Sequence, residues 1–258
     1  MKFGLIGHPI AHSLSPALFK AGYDGRHPYD LIETTDFEEA YQIFLNEYDG
    51  INVTAPFKEL AVQKADILSE ECRIIGATNL LVKTTEGIKA YNSDYLGVRL
   101  WLSGAVQGFF PTPEPHRKSR VLIVGMGGAG KAAAAAAESL GMETILMNRT
   151  RYSEYIKPLS HFREEFCKAD IVIYNLPIRI AELDSLTAED FCPGKPKHIL
   201  EANYRNPSFD KSLIQKMKAT NPGLSYTEGR TWLLLQAVTG YELFTGEKPD
   251  LDRMTASL

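Results

Sequence analysis

Residues 120–140 place an almost unbroken apolar strand, a run of glycines and an alanine-rich segment in immediate succession. The glycine run, Gly125-Met126-Gly127-Gly128-Ala129-Gly130, keeps the spacing G-x-G-x-x-G. Between a strand and a helix that spacing permits a tight turn and lets a pyrophosphate approach the backbone. The open amides of the helix start can then hold the anion. Such a turn belongs to a βαβ unit, and a βαβ unit requires a parallel sheet. The six alanines at 132–137 form helix readily and are small enough for that helix to lie close to the strands.

The rest of the chain alternates in the same way. Apolar runs at residues 3–6, 29–33, 50–53 and 80–83 read as strands, with 88–91 pairing back on 80–83 as a hairpin. Ser15-Pro16 reads as a helix start, with serine as cap and proline at the first helical position. Phe37, Ala40, Tyr41 and Phe44 share one face of a further helix. A proline-rich polar stretch at 110–119 interrupts the pattern. Strands resume at 120–124, 144–147, 171–174 and 198–200, and a long apolar helix covers about 230–244. The expectation is an α/β chain of two domains with a cleft between them. An N-terminal α/β substrate domain with a mainly parallel sheet takes residues 1–100 plus 230–258, including the linking helices. A Rossmann-like dinucleotide-binding domain takes residues 101–229.

At 258 residues, 44% hydrophobic and 23% charged, the chain can bury a sizeable core. A net charge of −4 without any basic stripe argues against a nucleic-acid partner. Cys72, Cys167 and Cys192 lack metal-ligand spacing, so no metal is expected, and their odd number suits a reducing cytoplasm better than a disulfide framework. The N-terminal apolar run is too short for a signal peptide, and no apolar stretch is long enough for a membrane span. The expected partner is a small-molecule substrate, and the expected state a monomer or homodimer in the cytoplasm.

The end of the strand after the glycine turn discriminates between dinucleotides. An NAD site needs a carboxylate there for the ribose 2′-hydroxyl. This chain has Asn148-Arg149-Thr150-Arg151. A guanidinium suits the 2′-phosphate of NADP, which is therefore the expected cofactor. The plainer alternative is a pair of exposed arginines at a helix start.

Other polar clusters fall at strand ends in the N-terminal part. In Asn52-Val53-Thr54-Ala55-Pro56-Phe57-Lys58, Pro56 is placed to open a helix and Lys58 lies just inside it. The positive end of a helix disfavours an ammonium, which makes Lys58 a candidate proton donor and acceptor. A surface lysine with a buried stem is the alternative. Ser13 and Ser15 put two hydroxyls beside a helix start, a setting for a carboxylate, although Ser15 could simply be the cap. Asn79 offers donor and acceptor to a hydroxylated ligand, or is an ordinary turn asparagine. Asp94 lies in a first helical turn and by default is a cap. Reduction of a ketone by hydride needs a proton at the carbonyl oxygen, and an ammonium held by a carboxylate supplies it. Lys58 and Asp94 are the acid/base pair that chemistry selects.

Taken together and in order, these motifs resemble the shikimate dehydrogenase family over residues 4–246. The resemblance implies reversible NADPH-dependent reduction of 3-dehydroshikimate to shikimate, on the route to aromatic amino acids, without a metal. It implies that Ser13 and Ser15 bind the substrate carboxylate and that Thr54, Asn79, Asp94 and Gln236 bind ring hydroxyls. Lys58 matches the catalytic lysine, and Tyr204 a tyrosine near the substrate and the nicotinamide. Gly125, Gly127, Gly128, Ala129, Asn148, Arg149, Thr150 and Gly229 match cofactor positions. Several residues depart from the family pattern. Trp232 stands in place of a methionine and Glu201 in place of an aspartate, while Asn175-Leu176-Pro177-Ile178 is a shortened motif. The interval 151–169 is too short for the usual strand, so a trimmed cofactor domain is expected. The alternatives are an NAD-dependent quinate/shikimate dehydrogenase and a non-catalytic shikimate-binding sensor.

Overall fold

The computed structural model describes residues 1–104 and 118–258. Most of the proline-rich break at 110–119 lies outside the described residues. The chain divides into two units, Met1–Gly97 with Leu234–Leu258, and Val98–Leu233.

The first unit contains β1 (Phe3–Gly7), α1 (Ser15–Gly22), β2 (Tyr29–Glu33), α2 (Phe37–Glu47), β3 (Gly50–Val53), α3 (Lys58–Gln63), β4 (Ile67–Leu68), α4 (Glu70–Ile75), β5 (Leu80–Thr84) and β6 (Gly87–Tyr91), and then the start of α5 (Ser93–Leu102). The helix α2 forms where its apolar positions recur at helical spacing. Asp36 caps it by accepting from the amides of Glu38 and Glu39, and Phe37, Ala40, Tyr41 and Phe44 go into the core beside Ile51, Val53 and Phe57. The sheet runs β2-β1-β3-β5-β6-β4. β1 is parallel to β2 and β3, whereas β5 is antiparallel to both β3 and β6. These two reversals position the site. They bring the carboxyl ends of β1, β3 and β6 and the start of β5 to one edge, where Asn52 pairs with Leu80 and Leu80 with Tyr91.

The second unit takes the end of α5, then β7 (Arg120–Val124), α6 (Gly128–Ser139), β8 (Glu143–Met147), β9 (Ile156–Lys157), α7 (Phe162–Lys168), β10 (Ile171–Tyr174), α8 (Ala181–Asp184), β11 (Lys197–Glu201), α9 (Lys211–Thr220) and β12 (Leu224–Thr227). The helix α10 (Gly229–Thr245) contains the second boundary, and α11 (Leu251–Ala256) belongs to the first unit. The strand order is β12-β11-β10-β7-β8-β9, with each pair parallel. This is the doubly wound Rossmann order, which reverses direction between β7 and β10. Every carboxyl strand end therefore shares one edge. Strands such as Ile171–Tyr174 are buried throughout, which is why they read as continuous apolar runs rather than alternating ones. All six alanines of 132–137 are buried where α6 packs on β7 and β8.

Three local expectations are corrected. Ser15 is the first residue of α1 rather than its cap: Leu14 already has helical backbone angles, and Ser13 Oγ accepts the Ser15 amide at 3.2 Å. Pro56 lies in the turn before α3, after a cis Ala55–Pro56 bond, and the helix starts two residues later at Lys58. The interval 151–169 does hold a strand. β9 is only two residues long, Ile156 and Lys157 pairing with Leu146 and Met147, and it completes the sheet, so the domain is not trimmed.

Among the described residues, no helix is long and apolar enough to cross a membrane, and no group of three His, Cys, Asp or Glu side chains is placed to hold a metal.

Candidate active site

In the first unit the shared sheet edge collects side chains from five separate stretches of sequence. Lys58, at the first position of α3, reaches Asp94 in the first turn of α5, with Nζ 2.5 Å from Oδ2. Both side chains are mostly shielded, 20% and 13% exposed, so water screens the pair only partly. Asp94 is therefore not the helix cap, and Asn92 takes that role by accepting the Tyr95 amide at 3.1 Å. The Lys58 carbonyl accepts the Thr78 amide at 3.0 Å, which ties the start of α3 to the turn before β5.

Asn79 leaves that turn with its side chain buried. Its Oδ1 accepts the Ser93 amide at 2.7 Å and its Nδ2 donates to Ser93 Oγ at 3.0 Å. Ser93 Oγ in turn lies 2.9 Å from Gln236 Oε1 on α10. Thr54 follows β3 directly, half-buried, its amide bound to the Ile6 carbonyl at 2.9 Å. Gly7 makes room for it, because a β-carbon on Gly7 would lie 2.3 Å from Thr54 Cγ2. In the loop after β1, Ser13 Oγ donates to Ser15 Oγ at 3.1 Å.

Several residues of this edge went unremarked in the sequence. Asn52, buried in β3, accepts from the Tyr29 hydroxyl at 2.8 Å and donates to the Asn79 carbonyl at 3.1 Å. Tyr241 on α10 donates to the Ser15 carbonyl at 3.1 Å. Burial pushes the Tyr29 and Tyr241 hydroxyls well above their usual range, so both remain protonated donors. A polar residue inside the buried strand Gly50-Ile51-Asn52-Val53 was the available signal, since a buried amide must find partners.

The second unit presents a different site at the carboxyl ends of β7, β8, β10 and β11. Gly125 has φ +96° and turns the chain out of β7. A β-carbon on Gly130 would fall 1.8 Å from the Gly125 carbonyl oxygen, so only glycine lets α6 start this close to the turn. At Gly127 a β-carbon would meet nothing within 4 Å, which leaves its backbone open to an approaching ligand. No side chain caps α6, so the first amides, from Gly128 and Ala129 onward, point at that opening. Asn148, after β8, accepts the Met126 amide at 3.2 Å and donates to the Thr150 carbonyl at 2.9 Å, fixing the turn and the following loop together.

Beside the turn lies a groove of about 430 Å³ lined by Asn148, Arg149, Thr150, Leu176, Ile178 and Ile180, among others. Arg149 is exposed and makes no ion pair among the described residues, whereas Arg151 spends its Nε on the Ile156 carbonyl at 2.8 Å. Asn175 Oδ1, at the end of β10, is buried and has no partner among the described residues. The turn, the uncapped helix and the open cation fit an anionic dinucleotide carrying an extra phosphate. Tyr204 is half-buried in the loop after β11, and Gly229 packs on that loop, where a β-carbon would come 2.7 Å from the Tyr204 amide. Trp232 is buried.

A model of the shikimate dehydrogenase substrate binding domain matches residues 5–81, and one of the D-isomer specific 2-hydroxyacid dehydrogenase NAD binding domain matches residues 79–211. A shikimate dehydrogenase (NADP(+)) of Archaeoglobus fulgidus is 30% identical over 97% of this chain and 95% of its own length. Another, from Caldanaerobacter subterraneus subsp. tengcongensis, is 28% identical over 97% of this chain and 93% of its own. Among solved structures, shikimate 5-dehydrogenase from Thermus thermophilus in complex with NADP(H) and shikimate is 27% identical. It superposes with a TM-score of 0.80 over 100% of this chain and 98% of that one.

Proposed function

The chain belongs to the shikimate dehydrogenase family, and we propose that it catalyses the reversible NADPH-dependent reduction of 3-dehydroshikimate to shikimate in aromatic amino acid biosynthesis. The observation that carries this function is the Lys58–Asp94 pair at 2.5 Å, set on one sheet edge with Asn79 and, through Ser93, Gln236. A ketone oxygen that gains electron density needs a proton from a group held in place, and an ammonium paired with a carboxylate is such a group.

In this reading Lys58 donates a proton to the substrate oxygen in reduction and receives it in oxidation, while Asp94 orients the ammonium and binds a neighbouring hydroxyl. Ser13 and Ser15 hold the substrate carboxylate, and Thr54, Asn79 and Gln236 the ring hydroxyls. The substrate-binding domain is residues 1–100 plus 230–258, and the NADP-binding domain residues 101–229. When bound, NADP(H) supplies or accepts the hydride. Gly125, Gly127, Gly128 and Ala129 receive its pyrophosphate, and Asn148, Arg149 and Thr150 its adenosine end, with Arg149 on the 2′-phosphate. Gly229 and Tyr204 belong to the nicotinamide end. Three free cysteines fit a reducing, cytoplasmic setting, and the chain acts as a monomer or homodimer.

The test is a steady-state comparison of shikimate and quinate, each with NADP+ and NAD+, followed by absorbance of the reduced nicotinamide. The expected outcome is the highest kcat/KM for shikimate with NADP+. A tenfold or greater preference for quinate with NAD+ overturns the assignment, and shikimate binding without turnover makes the protein a sensor.

A further inference from the structure

The long helix α10 touches the start of α1 through a single hydroxyl. Tyr241, in α10, is almost fully buried. Its ring meets Phe19 edge-on, with centroids 4.8 Å apart, and Tyr29 at 6.0 Å. A phenylalanine would keep both contacts, so packing does not require the hydroxyl. Burying a phenol is costly unless it is bonded. The Tyr241 hydroxyl donates to the Ser15 carbonyl at 3.1 Å.

That bond falls where the two candidate carboxylate ligands are joined. Ser15 is the first residue of α1, and no side chain caps the helix from Leu14 before it. The Ser15 amide donates to Ser13 Oγ at 3.2 Å, and Ser13 Oγ donates to Ser15 Oγ at 3.1 Å. The two hydroxyls therefore take their places from one short stretch of backbone. The Ser15 side chain also neighbours the hydroxyls of Tyr29 and Tyr241, and burial keeps both phenols protonated. Tyr29 spends its proton on Asn52 Oδ1 at 2.8 Å, so Tyr241 is the phenol that holds the serine backbone. An anion bound by two hydroxyls needs both in one geometry, and a small displacement of their shared backbone weakens both bonds together.

We propose that Tyr241 is a positioning residue for the carboxylate subsite: its hydroxyl fixes the 13–15 segment through the Ser15 carbonyl and so aims both serine hydroxyls at the ligand. This rests on the function proposed above, in which Ser13 and Ser15 hold the substrate carboxylate. The dependence on Tyr241 then belongs to the carboxylate, and neither the ring hydroxyls nor hydride transfer shares it.

The experiment follows shikimate oxidation by NADP+ in wild type, Tyr241→Phe and Tyr23→Phe, with the melting temperature of each as a control. The competitive inhibition constant of a shikimate analogue, in which a hydroxymethyl group replaces the carboxylate, is measured beside it. Tyr241→Phe is expected to raise the shikimate KM about five- to twentyfold with a smaller change in kcat, as loss of one hydrogen bond to a charged ligand does. The inhibition constant of the analogue is expected to change less than about twofold, because it has no carboxylate to lose. In a background of Ser13→Ala with Ser15→Ala, Tyr241→Phe has little further effect on KM, since no hydroxyl is left to aim. Tyr23→Phe is the control for packing. Its hydroxyl donates to the Tyr241 carbonyl at 2.9 Å, so its removal lowers the melting temperature and leaves the shikimate KM near wild type. Equal losses for shikimate and the analogue, an undiminished loss in the double-serine background, or a matching KM rise in Tyr23→Phe overturns the proposal while leaving the function intact. Absence of wild-type turnover overturns the function and this proposal with it.

Discussion

The glycine turn allows stability and cofactor affinity to be separated by moving one methyl group along six residues. At Gly127 φ is −74°, an angle any residue adopts, and an added β-carbon meets nothing within 4 Å. Gly127→Ala therefore costs only the poorer capping of alanine at a helix start, about 0.5–1 kcal/mol, or roughly 1–4 °C in Tm for a chain of this size. The new methyl group nevertheless occupies the space a pyrophosphate needs to reach the amides of α6. A charge-assisted hydrogen bond is worth about 1.5–3 kcal/mol, so losing one raises the KM for NADP+ roughly 10- to 150-fold. At Gly130 the same methyl group would stand 1.8 Å from the Gly125 carbonyl oxygen, a distance no rearrangement of side chains relieves. Gly130→Ala is expected to lose more than about 4 kcal/mol and to melt well below the wild type. Thermal unfolding by circular dichroism and steady-state kinetics with varied NADP+ read the two effects separately. An unchanged NADP+ KM in a folded Gly127→Ala enzyme would refute the placement of the cofactor, and a wild-type Tm for Gly130→Ala would refute the packing of the turn.

Lys58→Ala should lower kcat by about 10²- to 10⁴-fold with a comparatively small change in shikimate KM, read by steady-state kinetics; near-normal kcat would remove the lysine from the chemistry. Arg149→Ala should raise the KM for NADP+ about 10- to 100-fold while leaving that for NAD+ unchanged, because only the 2′-phosphate loses a partner. A third outcome concerns stability and pH. Burial of the Asp190 carboxylate opposes its charge, but the Arg163 guanidinium at 2.8 Å and the amide and hydroxyl of Thr187 hold its pKa down to about 2. A folded-state pKa below the unfolded one adds stability that is present above about pH 4 and is lost as pH falls through about 2. With Arg163 half exposed the gain is discounted to about 1–2 kcal/mol. Urea titration of Asp190→Asn should show that deficit at pH 6, with the gap to wild type closing toward pH 2.

Much of the fold was legible because buried strands and amphipathic helices carry their own punctuation. Pro28 precedes β2, and the residues of β2, β3, β7 and β10 coincide with the apolar runs in the sequence. The strands that escaped notice are β4 and β9, two residues each, and the short edge strand β12. Two residues cannot display a period, and pairing at a sheet edge comes from tertiary context rather than from local preference. The misplaced cap at Ser15 has a backbone cause: Leu14 had already entered helical geometry, so Ser15 lies inside the helix and its amide donates to Ser13 Oγ.

The site divides along a similar line. Lys58 and Asp94 could be matched by chemistry across 36 residues because a proton donor needs a counter-charge, and the antiparallel turnaround of β5 and β6 supplies the proximity that sequence distance conceals. Ser93 and Asn52 were invisible for the opposite reason. Neither has chemistry of its own to advertise, and both bond to Asn79, Ser93 to its side-chain amide and Asn52 to its backbone carbonyl. Yet Asn52 could have been read. In Gly50-Ile51-Asn52-Val53 it occupies a strand whose residues are all buried, and an amide there must bind at both ends. It does so by accepting from Tyr29 and donating to the carbonyl of Asn79, which holds β3 and the start of β5 in register at the edge of the proposed ligand site. A polar residue that breaks an apolar strand is thus a sign of what lies beside the site, and its two partners show which neighbouring segments the site draws together.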